Sequence, residues 1–148
     1  MEVNGGILAG SGIISGAVTI GTGSGTGAFL TPGMGASTAT TLTIQSTLTL
    51  KADSTYTCRL NTKKTKADQL IANGVTIESG AQFAFKVTGD AQLRTGKSAT
   101  VISNTAATSI SGTFANLPDG STFAIGSNTF QASYEGGDGN DLTLTVVP

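Results

Sequence analysis

Short aliphatic runs separated by small polar residues make up the first part of the chain. The stretch NGGILAGSGIISGAVTIGTGSGTGAFLTPG carries pairs such as Ile7-Leu8 and Ile13-Ile14, each followed within a few residues by glycine or serine. No helical period fits this pattern, and glycines at such intervals would cost a helix about 1 kcal/mol apiece. Brief strands joined by tight glycine turns tolerate them. We therefore expect stacked coils of short strands, with Ile13 in their core.

Period-two alternation replaces the glycine-rich pattern in TATTLTIQSTLTLKADSTYTCRLN. Leucine and isoleucine positions there share one face, as in half-buried strands. The opposite face carries threonines, namely Thr41, Thr43, Thr47 and Thr49. After a turn at Ala52-Asp53-Ser54, the side chains of Tyr56, Cys58 and Leu60 share a face of a further strand that ends at Asn61.

The remaining sequence continues the strands and then changes in kind. Val75 begins a short apolar run between the turn-forming pairs Asn73-Gly74 and Ser79-Gly80, and we place its side chain in the core. Residues 110–114 read as another short strand. Residues 123–125, 130–134 and 142–147 then read as longer antiparallel ribbons with glycine turns between them.

These patterns predict a single all-β domain over residues 1–148. Its expected fold is a right-handed parallel β-helix, or β-solenoid, with stacked coils over 1–115 and a C-terminal antiparallel hairpin cap over 116–148. Stacked coils leave unpaired backbone groups at both ends. The cap would cover one end, whereas the first residues already carry coil-like sequence. We therefore expect the other end to continue into neighbouring domains of a longer chain or to associate end to end with another copy.

Composition excludes several kinds of chemistry. The 148 residues include 21 glycines and no histidine or tryptophan, and only 11% are charged. Without histidine, Ser-His-Asp and Cys-His catalysis and histidine-zinc sites cannot form within the chain. No nucleophile, base and oxyanion-donor set can be assembled from the remaining residues. We therefore expect no enzyme activity, no catalytic residues and no cofactor.

Charge and hydropathy restrict the partners in the same way. A formal net charge of -1 and a pI near 5.1 give no electrostatic footprint for phosphate backbones, so we expect no nucleic acid partner. No window reaches the roughly 18 apolar residues that a membrane helix requires, so we expect no membrane insertion. The single Cys58 cannot form an intramolecular disulfide, and a buried position in a strand is its favoured interpretation.

The segment EGGDGNDL near the C-terminus has the spacing of a calcium-binding nonapeptide. Gly136, Gly137, Gly139 and Asp141 match the G-G-x-G-x-D pattern in which stacked turns share calcium ions. A single copy supplies about half of a calcium shell, and Thr143 occupies the position that should be apolar. The pattern favours a hairpin turn, with calcium as the alternative, and we assign no metal ligand.

Other candidate clusters have simpler structural interpretations. Asp138 with Asp141, or Asp119 with Asp90, could serve as paired carboxylates, but turns select aspartate for its backbone hydrogen bonds. The glycine-rich residues 21–27 resemble a phosphate loop without the helix or the lysine that such a loop needs. The polar loop with its three lysines Lys63, Lys64 and Lys66 is typical of a solvated surface.

Several segments in order resemble the autotransporter-associated β-strand repeat proteins of bacteria. The most specific pieces are Asn4-Gly5-Gly6 with Leu8 to Gly12, Asp68-Gln69-Leu70, Gly112-Thr113-Phe114 with Leu117-Pro118, and Gly136 to Asp141. The resemblance implies a β-helix passenger module that carries other domains and has no catalytic residues of its own. Two places depart from the pattern: the bulky turn over residues 29–34, and Cys58-Arg59 in place of a valine-like and polar pair.

Two functions follow as expectations. The first is a non-catalytic structural module of a bacterial secreted or surface protein, forming a rigid stalk or an extracellular filament assembled end to end. The alternative is an adhesin that recognises glycans or a host surface through its strand faces and the lysine loop. In both cases we expect an extracellular or cell-surface location, since the sequence reads as a piece of a longer secreted chain.

Overall fold

The computed structural model describes residues 1–25, 27–34, 38–64 and 66–148, which form an all-β arrangement. Sixteen strands lie within these residues. In chain order they are Glu2–Val3 (β1), Gly6–Leu8 (β2), Gly12–Ile14 (β3), Val18–Ile20 (β4), Ala28–Leu30 (β5), Thr41–Ile44 (β6), Leu48–Leu50 (β7), Ser54–Asn61 (β8), Lys66–Ala67 (β9), Gln69–Ala72 (β10), Val75–Ile77 (β11), Gln82–Thr88 (β12), Ser98–Asn104 (β13), Thr122–Ile125 (β14), Asn128–Gly136 (β15) and Asp141–Val147 (β16).

The strands form three sheets that the chain visits in turn. The four-stranded sheet has the order β1-β4-β7-β11 and the five-stranded sheet the order β2-β5-β8-β12. The seven-stranded sheet has the order β3-β6-β10-β13-β16-β15-β14. From β1 to β13, each strand on these paths pairs in parallel with the strand from the previous visit to the same sheet. Successive visits therefore stack as layers.

Inward side chains of successive layers lie in register and form the core. Val18, Leu48 and Val75 align in one column of the four-stranded sheet, and all three are buried. In the five-stranded sheet Leu30 is in register with Tyr56, whose hydroxyl donates a 2.7 Å hydrogen bond to the Val101 carbonyl. Burying such columns stabilises the fold by about 25 cal/mol per Å² of apolar surface.

The prediction of a right-handed parallel β-helix, or β-solenoid, with a separate hairpin cap is wrong. The sheets combine parallel and antiparallel pairing, and they do not close into a regular solenoid. Strand β9 runs antiparallel to β8, and β16 runs antiparallel to β13. Strands β14, β15 and β16 extend the seven-stranded sheet rather than covering the end of a coil.

Local turn chemistry explains these departures. The Asn61 side-chain oxygen accepts hydrogen bonds from the backbone N–H groups of Lys63 and Lys64, and this turn sends β9 back along β8. Strands β15 and β16 are long enough to pair with each other through a short turn. Hairpin pairing between neighbours in sequence needs no crossover, whereas a further parallel layer would need one.

Two expectations about individual segments are also corrected. Residues 110–114 form no strand, and only isolated bridges occur there, at Ser111 and Phe114. Ile13 is 68% exposed, so its predicted core position is wrong, whereas Val75 is buried as expected at 4% exposure. The reason is register: Ile14 lies beside the buried Ile44, so its neighbour Ile13 falls on the outer face of the strand.

Candidate functional site: an open layer of strands

Strands β1, β2 and β3 form one end of the molecule, which we call the end layer. Each of the three is the terminal strand of its sheet and pairs on one side only among the described residues. Their carbonyls accept hydrogen bonds from the next layer: Val3 from Gly21, Leu8 from Thr31, and Ile14 from Gln45. The opposite edges of the same strands are free to pair with further strands.

Exposed apolar side chains are concentrated at the end layer and the layer beside it. In the described part of the chain, every large apolar side chain that is strongly exposed lies within residues 1–34: Met1, Ile7, Ile13, Phe29 and Met34. Ile7 is 49% exposed and lies in register with Phe29, which is 41% exposed. Glu2 is the single charged side chain in the first 50 residues of the sequence. This end is therefore both apolar and nearly uncharged.

The opposite ends of two sheets are covered by the loop between β13 and β14, residues 105–121, which we call the covering loop. Ser111 lies beside β11, where its carbonyl accepts from Ile77 N–H at 2.7 Å and its N–H donates to the Val75 carbonyl at 2.9 Å. The Asn116 side chain occupies the edge of β12, because it accepts from Phe83 N–H at 2.8 Å and donates to the Phe83 carbonyl at 2.7 Å. The third sheet ends in the short hairpin strand β14.

Tyr134 holds the covering loop in place. Its hydroxyl donates to the Leu117 carbonyl at 2.7 Å and accepts from Phe114 N–H at 3.1 Å, and burial raises the pKa of this hydroxyl to about 12. The roles of Asn116 and Tyr134 were not predicted from the sequence. Neither residue stands at a motif position. The sequence signal nearest to them is the aromatic residue Phe114, which is buried in the structure.

The calcium-like segment is a hairpin turn, as favoured. Strands β15 and β16 pair as a hairpin, with Gly136 opposite Asp141 across the turn. One carboxylate oxygen of Asp141 accepts from Asn104 N–H at 2.9 Å. Burial, with the neighbouring Asp138 carboxylate, raises the pKa of Asp141. Within the described residues no third cysteine, aspartate or glutamate joins this pair to make a metal-binding group.

The two candidate carboxylate pairs differ in geometry. Asp138 and Asp141 do approach each other at the hairpin turn. Asp119 instead accepts a 3.0 Å hydrogen bond from Tyr134 N–H, a backbone contact typical of turn aspartates, and Asp90 is exposed after the end of β12.

The glycine-rich turn that resembles a phosphate loop is filled by the protein's own carboxylate. Asp53 accepts from the N–H groups of Gly23 at 2.7 Å, Gly25 at 3.1 Å and Thr22 at 3.2 Å. The Gly23 hydrogen bond is the main cause that lowers the pKa of Asp53. Backbone donors that would face a phosphate are therefore already engaged. Thr26, also part of this stretch, lies outside the described residues.

A cavity of about 730 Å³ lies beside β8 and β9, and we call it the basic cavity. Its lining is Thr38, Ala39, Arg59, Leu60, Asn61, Lys64, Lys66, Asp68 and Thr88. Thr65, between two of the lysines, lies outside the described residues. The expected lysine loop therefore forms one wall of a concave surface, and Lys63 lies just outside it.

An ion pair forms the floor of the basic cavity. Arg59 Nε lies 2.8 Å from a carboxylate oxygen of Asp68, whose side chain is fully buried. Gly33 packs so closely on this pair that a side chain there would overlap both partners. The turn over residues 29–34 therefore lies against Cys58-Arg59. These are the two places where the sequence departs from the repeat pattern. The expected burial of Cys58 is confirmed, and burial raises the pKa of its thiol.

Fold and end layer together define the class of this protein, an all-β domain of three sheets with one open layer of strands. No protein-family model matches the chain, and no curated protein or solved structure matches it. The resemblance to autotransporter-associated β-strand repeat proteins therefore stays a prediction from sequence motifs. No helix in the described ranges has the length and apolarity needed to cross a bilayer.

Proposed function

We propose that the chain is a non-catalytic structural module of a bacterial secreted or surface protein, and that it joins a second copy of itself through the end layer. The observation that supports this is the coincidence of three free strand edges with the cluster of exposed apolar side chains at the same end. Free edges bind other strands through backbone hydrogen bonds, and apolar patches gain free energy when another surface covers them.

The partner that fits this end best is an identical end layer. A twofold axis can place the free edges of two end layers against each other in antiparallel orientation, so that free backbone donors of one copy face acceptors of the other. Glu2 is the single charged side chain on the first 50 residues, so two such ends meet with little electrostatic repulsion.

The covering loop favours a closed pair over a filament. Head-to-tail growth requires a second free end, but Ser111 and Asn116 already occupy the far edges of two sheets. One adhesive end per chain produces a dimer, whereas two complementary ends produce a ring or an open fibre. Within a longer protein, such a pair would link two chains at this module.

Sedimentation equilibrium across a wide range of protein concentrations tests the proposal. We expect the unmodified chain to form a dimer that dissociates on dilution. The double variant Ile7→Lys, Ile13→Lys should stay monomeric, because both side chains are exposed and charges at strand edges block pairing. Circular dichroism should show that the double variant retains the strand content of the unmodified chain.

Thr122→Lys is the control, since it places a single lysine charge on an exposed position of β14, at the opposite edge of the seven-stranded sheet. We expect this variant to form dimers like the unmodified chain. A chain that is monomeric at every concentration would refute the proposal, as would equal dimerisation of the double variant and the unmodified chain. Long fibres in electron micrographs would refute the closed pair.

A further inference from the structure

We infer that the basic cavity binds an acidic carbohydrate, a sugar that carries carboxylate or sulfate groups. This inference is independent of association through the end layer, because the cavity lies on the outer side of β8 and β9. Three observations support it: the concentration of positive charge around the cavity, the ion pair beside it, and the hydroxyl and amide side chains in its lining.

Positive charge is concentrated around this cavity in a chain that is otherwise acidic. Five of the eight basic residues lie here: Arg59, Lys63, Lys64, Lys66 and Lys86. Lys86 adjoins Arg59 directly, because the two are in register on neighbouring strands. Among the described residues, Lys63, Lys66 and Lys86 take part in no ion pair. An anionic ligand would therefore meet the ammonium groups of Lys63, Lys66 and Lys86, which form no ion pair within the described part of the chain.

The ion pair in the floor gives the cavity a fixed shape. Asp68 accepts hydrogen bonds from Thr40 N–H at 2.9 Å and from Arg59 N–H at 3.1 Å, besides its contact with the guanidinium group. The guanidinium also donates to the Thr38 carbonyl at 3.0 Å. Arg59 is thus held by partners on two segments. A ligand that enters this cavity does not have to order this part of its wall, which lowers the entropic cost of binding.

The remaining lining distinguishes between classes of anion. Thr38, Asn61 and Thr88 contribute hydroxyl and amide groups, while the apolar Leu60 is almost fully buried. Hydroxyl-rich sugars can exchange hydrogen bonds with such groups. Among the described residues that line the cavity, none has an aromatic ring on which a nucleic acid base could stack.

Isothermal titration calorimetry at low salt tests the inference. The carboxylated probe is an oligogalacturonate, and the sulfated probe is a heparin hexasaccharide. We expect at least one probe to bind, and binding should weaken as sodium chloride is added, because salt screens exposed charges. The double variant Lys64→Gln, Lys66→Gln should bind about fivefold more weakly for each lysine removed. A neutral dextran oligosaccharide should not bind.

The double variant Arg94→Gln, Lys97→Gln removes the same charge from exposed positions of the segment between β12 and β13. Its affinity should stay within roughly twofold of the unmodified chain, because neither side chain belongs to the cavity lining. Equal losses in the two double variants would refute the cavity as the site. Failure of both acidic probes to bind at low salt would refute the inference, as would tighter binding of a polyglutamate peptide than of either sugar.

Discussion

Asp53 illustrates how one side chain defines a turn in this molecule. Its carboxylate accepts hydrogen bonds from the N–H groups of Thr22, Gly23 and Gly25, which belong to the preceding layer. The contact joins residues 30 positions apart in the sequence for Gly23. It ties the glycine-rich turn of one layer to the turn of the next, so ionisation of Asp53 should affect both.

We predict that the stability contributed by this contact is lost in acid. The pKa of Asp53 is lowered in the folded protein, so the contribution is fully present above the unfolded-state pKa of about 3.9 and disappears as the pH falls through the lower, folded-state pKa. The Gly23 amide resonance, followed by NMR against pH, should shift with a midpoint below about 3.9.

The matched control for this titration is Asp53→Asn, in which the acid-dependent shift of Gly23 should be missing. A Gly23 midpoint at or above the pKa of an unperturbed aspartate would contradict the assignment.

The pH dependence has the opposite sign for Asp141, whose pKa is raised by burial. Its charge opposes folding, so stability is lost as the pH rises through the folded-state pKa of Asp141.

At this scale the sequence predicted some positions and not others. The turn at Asp53 and the buried positions of Cys58 and Val75 follow from alternation and turn chemistry alone. The contact between Asp53 and Gly23 could not be predicted, because it depends on which layers stack in which register. The same limit explains the error at Ile13: period two gives two faces, and only the neighbouring layer decides which one is inside.

Among the elements, the covering loop is the one that pairs with a strand edge through a side chain. Asn116 offers one acceptor and one donor to Phe83, in the way that a residue of a paired strand would. An amide side chain can do this because its two polar groups reproduce those of the backbone. The loop therefore closes the edge of β12 without forming a strand.

We predict that Asn116→Ala destabilises the fold by about 2 kcal/mol, because the N–H and carbonyl of Phe83 both lose their partner. Urea denaturation followed by circular dichroism would measure the loss. Gln92→Ala, at an exposed position between β12 and β13, should change the free energy of unfolding by less than about 0.5 kcal/mol. Equal stability of the two variants would show that water replaces the amide without cost.

The C-terminal hairpins show which features of strand pairing can be predicted from the sequence. Strands β14, β15 and β16 occur where alternation and glycine turns predicted antiparallel ribbons. Their place in the molecule was predicted wrongly, since they continue the seven-stranded sheet through pairing of β16 with β13. Local pattern determines that two strands form a hairpin, but it contains no information about which third strand the hairpin joins.

For the whole molecule, stability should follow the stacking of layers. Each inward residue contacts residues of the layers above and below, so a charge in a middle layer disrupts contacts on both sides. At the end layer only one neighbour is present, and outward positions there contribute little to the core. The position of a residue along the stack therefore matters as much as its side chain.

We predict that Val75→Asp costs about 3–5 kcal/mol, because it buries an unpaired charge at a position that is 4% exposed. Ile13→Asp, the matched substitution at the end layer, should change the stability of the dissociated chain at low protein concentration by less than about 0.5 kcal/mol. Thermal unfolding of both variants would measure the difference. A strongly destabilised Ile13→Asp variant would contradict the outward orientation of this side chain.

The buried thiol of Cys58 can serve as a probe of local unfolding. The thiol is fully shielded, its Sγ donates to the Asp68 carbonyl at 3.1 Å, and burial raises its pKa, so the reactive thiolate is scarce in the folded state. Oxidants and alkylating reagents reach it only when β8 separates from its neighbours. The rate at which this one sulfur is labelled therefore measures how often the middle of the stack comes apart.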